Sequence, residues 1–179
     1  MIIKHNQNIY SLDKILDIEI CKDCIEAAEE DSLFPTVNSE VPTDIIKSFK
    51  NRVFLNSLEL SQIIWKNIAT LVPHVHNNWI VTGINENFRF YKYLTGQKFK
   101  THQDIDFEKS ESEKSFYSLL IYLNDDFEGG ETVFEDLSVK PIAGSALIFP
   151  HILFHSGAKV KKGIKYVLRS DIIYKKILT

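Results

Sequence analysis

Two rhythms divide the chain. In residues 1–86 apolar positions mostly recur every three or four residues, and from residue 87 they alternate or run in short blocks. The stretch "SLDKILDIEICKDCIEAAEED" (11–31) puts Ile18, Cys21, Cys24, Ile25 and Ala28 on one helical face, with Ser11 or Asp17 as candidate N-caps. A second amphipathic helix is predicted over "SLELSQIIWKNIATLV" (57–72), with Ser57 as N-cap and Pro73 as its stop. Between them, "FPTVNSEVPTDIIKSFKNRVF" (34–54) holds two prolines and several polar residues. It predicts a long ordered loop with a short strand near Arg52–Leu55.

The second half reads as strands. "NFRFYKYL" (87–94) is aromatic and alternating, and "SFYSLLIYLND" (115–125) follows suit. "ETVFED", "GSALIFP", "HILFH" and "KYVLRSDIIY" complete the set, with a turn over residues 125–130. Short strands separated by turn residues point to a sandwich or barrel. The helices are expected to pack on one face of a single α+β domain spanning residues 1–179. Residues 1–86 form its mainly helical support and 87–176 its β core.

Composition narrows the class without naming it. Hydrophobic residues make up 44% and charged residues 25%, as in an ordinary water-soluble domain. A formal net charge of -3 gives no global basic field for nucleic acid. No apolar run approaches the roughly 18 residues a membrane span needs. The start, "MIIKHNQNIY", lacks the apolar centre of a signal peptide, so a reducing, cytoplasmic setting is expected. Both cysteines lie in "CKDC", Cys21 and Cys24. Zinc needs further ligands that the chain does not supply as cysteine, and a redox pair needs a preceding strand. Two thiols on a helix is the simpler reading.

The candidate chemistry starts at "HQD". On an extended segment His102 and Asp104 point the same way while Gln103 points the other. An imidazole and a carboxylate are two thirds of the facial triad of non-haem Fe(II) oxygenases. The third ligand must come from a distant strand, and "FPHILFHSG" offers His151 and His155, four residues apart. His155 is favoured because Lys165 follows ten residues later, where a fixed cation suits a dicarboxylate that also chelates the metal. Lys165, Val167 and Arg169 share a face by period two. Buried cations are costly without a partner, so Arg169 needs either an anionic ligand or a salt bridge to Asp171.

These segments resemble the 2-oxoglutarate- and Fe(II)-dependent dioxygenases, in their prolyl 4-hydroxylase-like branch. The resemblance rests on "FRFYKYLTGQKFKTHQD", "LLIYLNDDFEGGETVFED", "KPIAGSALIFPHILFHSGAKV" and "GIKYVLRSDIIY", in family order. It implies a double-stranded β-helix, a jelly-roll barrel open at one end, with N-terminal supporting helices. It implies His102, Asp104 and His155 as iron ligands and Lys165 as partner of the distal carboxylate of 2-oxoglutarate. Tyr122 matches a tyrosine assisting that lysine, and Tyr93 one near the chelating end of the cosubstrate. Arg169 stands where better-known members carry a smaller, uncharged residue, which leaves it open to cosubstrate, substrate or Asp171. The implied cofactors are Fe(II), 2-oxoglutarate and O2, with ascorbate as an accessory in the family. The implied activity is hydroxylation of a prolyl residue in a peptide or protein. A free amino acid or other small molecule, and a jelly-roll binding module without turnover, are the alternatives.

Other features have plainer readings. His74 and His76 in "PHVHNN" follow a helix-ending proline and imply no third ligand. His151 reads as a structural histidine. Gly129 and Gly130 read as a tight turn needing positive φ. "KVKKGIK" reads as a solvated hairpin at the mouth. Phe90, Leu120, Ile148 and Phe149 are candidate apolar walls. Substrate choice is expected in loops over the mouth, residues 31–52 and 103–115. The sequence sets neither the substrate nor an oligomeric state.

Overall fold

The chain runs β1 (Ile2–Lys4), β2 (Tyr10–Leu12), α1 (Ile18–Glu30), β3 (Arg52–Asn56), α2 (Leu58–Ile68), β4 (Val75–His76), β5 (Trp79–Ile84) and β6 (Asn87–Leu94). It continues through β7 (Phe99–His102), β8 (Glu108–Ser110), β9 (Glu113–Tyr122), β10 (Glu128–Gly129), β11 (Thr132–Val133) and β12 (Ser138–Val139). The last strands are β13 (Ala146–Pro150), β14 (His155–Gly157), β15 (Val160–Lys162) and β16 (Ile164–Lys176). This computed structural model describes residues 2–5, 8–30 and 52–177. The expected loop over 34–54 lies outside those residues up to position 51, as does most of the expected mouth loop at 31–52. The strand expected near Arg52–Leu55 is β3.

A large antiparallel sheet carries the order β1-β2-β13-β9-β16-β5-β4, with β6 and β3 continuing from β16 and β8 paired to β9. A second sheet, β12-β11-β14-β7, closes over one of its faces, and β10 pairs with β15 at one end. Together they make the jelly-roll core. The first 86 residues supply the two described helices but also put β1 to β5 into the large sheet.

The large sheet is buried on both faces, and alternation sorts its side chains. Along β13, Leu147 and Phe149 enter the space between the sheets, while Ala146 and Ile148 join the helix-side core. Along β16, Val167 faces inward and Leu168 faces the helices. The apolar walls are thereby corrected. Leu120 and Phe149 face the interior of the barrel, but Phe90 and Ile148 pack under the helices.

α2 covers the outer face with Leu60, Ile64 and Ile68, one turn apart. Ser57 caps it, its hydroxyl accepting from the Leu60 N–H at 3.2 Å. The helix stops at Ile68, short of Pro73, in a tightened turn where the Leu71 N–H bonds the carbonyl of Ile68, three residues back. α1 starts at Ile18, not in "SLDK". Asp17 stands at its N-cap, its carbonyl accepting from Cys21 at 2.9 Å, whereas Ser11 lies in β2. Cys21 and Cys24 sit on this helix as free thiols, and burial pushes both up to about 11. None of the described helices is long and apolar enough to cross a membrane.

Candidate metal centre and cosubstrate pocket

β7 and β14 pair so that His102 lies directly opposite His155. Two histidines far apart in sequence thus meet at the rim of the barrel, ring centroids 4.2 Å apart. Asp104 follows just past β7, where its N–H donates to the His151 carbonyl at 3.1 Å. Its carboxylate then reaches both rings, with Oδ1 3.4 Å from His102 Nε2 and Oδ2 3.7 Å from His155 Nε2. Each Nδ1 is held by a backbone carbonyl, His102 by Lys100 at 3.0 Å and His155 by Leu153 at 3.1 Å. That arrangement places the proton on Nδ1 and leaves Nε2 as a lone-pair donor. One ligating atom from each residue lies within 4.8 Å of the others. Two imidazoles and a carboxylate on one side of an ion fit the facial set used for Fe(II).

His151 is not part of this group. A turn at Pro150–Leu153 breaks "HILFH", so the two histidines do not share a strand face. The His151 ring is buried between Ser115 Oγ (2.8 Å from Nε2) and Ser118 Oγ (2.9 Å from Nδ1). His76 instead stacks on Phe116, centroids 4.3 Å apart. Gln103 points away as expected, its amide donating to the Ile152 carbonyl at 2.5 Å.

The charges of the group are coupled. Burial lowers the His102 pKa, but the Asp104 carboxylate and the Lys100 carbonyl outweigh it and the net shift is upward. Burial raises Asp104, and the two histidines with Ser118 more than reverse that, so it titrates below the usual carboxylate range. His155 is shifted down, chiefly by burial. The deprotonated carboxylate and a neutral His155 are the forms that ligate a metal.

A cavity runs inward from these three residues between the two sheets. Tyr91, Tyr93, Phe99, Leu120, Val167 and Lys165 line it. Lys165 is buried on β16, and its Nζ donates to the Gly130 carbonyl at 2.6 Å. The rings of Tyr93 and Tyr122 lie 5.7 and 5.4 Å from that ammonium. Tyr122 is fully buried, its hydroxyl 2.7 Å from Thr132 Oγ1. Gly129 and Gly130 adopt the expected positive φ, 78° and 70°, but Gly129 lies in β10 beside an irregularity in its pairing with β15 and not in a tight turn. Gly130 also presents the carbonyl that orients Lys165. The expected hairpin at "KVKKGIK" does not form, since β15 pairs with β10 and not with β16, but Lys161 and Lys162 are in solvent as expected.

Arg169 lines the cavity at the metal end. Its Nη2 is 3.2 Å from Asp171 Oδ1, the ion pair weighed from sequence. The same nitrogen is 3.1 Å from Asp104 Oδ2, a contact that sequence reading missed. Also missed were Ser118, which donates to Asp104 Oδ2, and Arg89, 3.3 Å from Asp171 Oδ2. Alternation held the signal for both. Arg89 faces inward with Tyr91 and Tyr93 on β6, and Ser118 with Leu120 and Tyr122 on β9. Residues 103–115 are not all loop, since β8 pairs with the start of β9.

The sequence profile of the 2OG-Fe(II) oxygenase superfamily matches residues 88–170, the stretch that holds the three candidate metal ligands and the residues lining the cavity. The β core belongs to that superfamily. An Arabidopsis thaliana protein named "Probable prolyl 4-hydroxylase 9" is 30% identical over 129 residues, covering 55% of this chain. The chain spans 42% of that relative's length. The viral collagen prolyl hydroxylase of Paramecium bursaria Chlorella virus-1 superposes with a TM-score of 0.68 at 19% identity. That match covers 97% of this chain and 98% of the viral one. A Trichoplax adhaerens prolyl hydroxylase, solved with a hypoxia-inducible-factor peptide, gives 0.68 at 15% identity, covering 93% of this chain and 84% of its own. At these identities the likeness of this oxygenase core to the solved structures is one of fold.

Proposed function

We propose that the protein is a 2-oxoglutarate- and Fe(II)-dependent hydroxylase acting on a prolyl residue in a peptide or protein. One observation carries the reading. A His102–Asp104–His155 group and a buried lysine line one cavity, with Lys165 four residues along β16 from Arg169, which reaches Asp104. Bound Fe(II), with 2-oxoglutarate and O2, supplies the oxidising chemistry that converts the oxo acid to succinate and CO2 and hydroxylates a C–H bond. The chain's own residues ligate, orient and shield. His102, Asp104 and His155 hold the ion and leave positions open on the cavity side. Lys165 binds the distal carboxylate of 2-oxoglutarate, exchanging its carbonyl partner for a charged one. Tyr93 and Tyr122 flank that ammonium and stay protonated, because burial raises both phenols. Leu120, Val167 and Phe149 keep the interior dry.

The prolyl substrate is supported by the name of the plant relative and by the peptide bound to the placozoan neighbour. It is tested with proline-containing peptides, Fe(II) and 2-oxoglutarate. The expected result is a gain of one oxygen atom on proline matched by succinate formed. A gain confined to other residues or to a free amino acid would reject the prolyl substrate and keep the chemistry. Absence of succinate with iron bound would favour a binding module.

A further inference from the structure

The metal-facing carboxylate is held from behind by two converging chains of side chains. Ser118 Oγ donates to Asp104 Oδ2, and Arg169 Nη2 lies 3.1 Å from the same oxygen. Oδ1 receives neither and is the oxygen nearer His102 Nε2, at 3.4 Å. Behind Arg169 stands Asp171, fully buried, itself paired with Arg89 at 3.3 Å. Behind Ser118 stands His151. With the Ser118 proton given to Asp104, His151 Nδ1–H donates to Ser118, and Nε2 accepts from Ser115.

We propose that Arg169 is a positioning residue for Asp104: with Ser118 it claims Oδ2 and directs Oδ1 to the ion. The inference rests on the metal-site reading above. A lone cation beside a metal site opposes metal binding by Coulomb repulsion. Here Asp171 answers that charge, so the pair delivers a planar donor to the carboxylate with no net charge. A carboxylate held by one oxygen keeps a single orientation, which is what partners behind a ligand contribute. Lysine is a poor substitute, because Nη2 reaches Asp104 and Asp171 from a planar guanidinium whose orientation a flexible ammonium does not reproduce.

The test uses Co(II) as probe. R169M/D171N removes both charges together, R169K keeps the cation without the planar guanidinium, and S118A removes the other donor. Each is read by Co(II) affinity, by the visible absorption of bound Co(II) and by thermal unfolding. R169M/D171N and S118A are expected to weaken Co(II) binding about 10–100-fold and to change the visible spectrum. R169K is expected to restore the affinity only in part. Unchanged affinity and spectrum in R169M/D171N, or in S118A if the double variant does not fold, would overturn the proposal. A wild-type protein that takes up no Co(II) would overturn the metal-site reading itself, and this one with it.

Discussion

His102 and His155 stand directly opposite each other in the β7–β14 ladder, and each fixes its ring through a backbone carbonyl at Nδ1. The pairing makes the metal site a property of the sheet register. H102A and H155A are each expected to abolish binding of Mn(II) or Fe(II) at concentrations that saturate the wild type. H151A is expected to retain one ion per chain while losing about 1–3 kcal/mol of stability, since two buried serine hydroxyls each lose one of their partners. Calorimetric titration separates the three. Loss of the ion in H151A alone would reassign the third ligand.

Lys165 makes stability and cosubstrate binding depend on pH. Burial pushes its ammonium from 10.5 down to about 8 in the folded protein, with Glu131 pulling weakly the other way. Between those two values the unfolded chain holds the proton and the folded chain does not. The unfavourable buried charge is therefore present in full below pH 8 and is relieved as pH rises toward 10.5. The free protein should gain stability over that window relative to K165M, read as melting temperature against pH. Binding of 2-oxoglutarate, which needs the charged form, should weaken above about pH 8. Parallel pH profiles for wild type and K165M would contradict both expectations.

The Gly129–Gly130 segment that presents the Gly130 carbonyl is predicted to be intolerant of side chains. Gly129 has φ 78°, and a Cβ there would press into the Lys159 carbonyl. G129A should cost about 1–3 kcal/mol from the left-handed backbone alone, measured by chemical unfolding. It should also weaken 2-oxoglutarate binding, because the displaced segment carries the anchor of Lys165. A neutral G129A would show that the segment relaxes freely.

Phe149 links the core to the site. It is fully buried, with its ring 4.5 Å from His155 and 5.1 Å from Phe134. F149A should destabilise the fold by about 3–5 kcal/mol. In conditions where the variant is still folded, its metal affinity should fall as His155 loses its support. Full metal affinity in the folded variant would place the support of His155 elsewhere.

How much of this was legible in the sequence follows from what each signal measures. Alternation exposed β16 and placed Lys165, Val167 and Arg169 on one inner face, because period two survives even in a strand buried on both sides. Spacing exposed His102 and Asp104 as a pair. It left the start of α1 open between Ser11 and Asp17, because Leu12, Ile15 and Leu16 are also spaced as on a helix. Those three are indeed buried, but by a strand and an irregular bend, which meet the same core without helical backbone. β1, β2 and β4 are too short to show a period. The turn inside "HILFH" is set by backbone bonds that composition does not reveal. The contact from Arg169 to Asp104 joins β16 to the segment after β7, and only the closed barrel brings the two together.

The account's central claim is that one cavity holds a metal at His102, Asp104 and His155 and a 2-oxo acid at Lys165. It is tested most directly by succinate formation from 2-oxoglutarate by the purified protein with Fe(II) and O2, without added peptide. The account predicts slow succinate release by the wild type, none by H155A, and for K165A a sharply raised 2-oxoglutarate requirement with iron still bound. Equal succinate from wild type and H155A, or no succinate from an iron-loaded wild type, would contradict it.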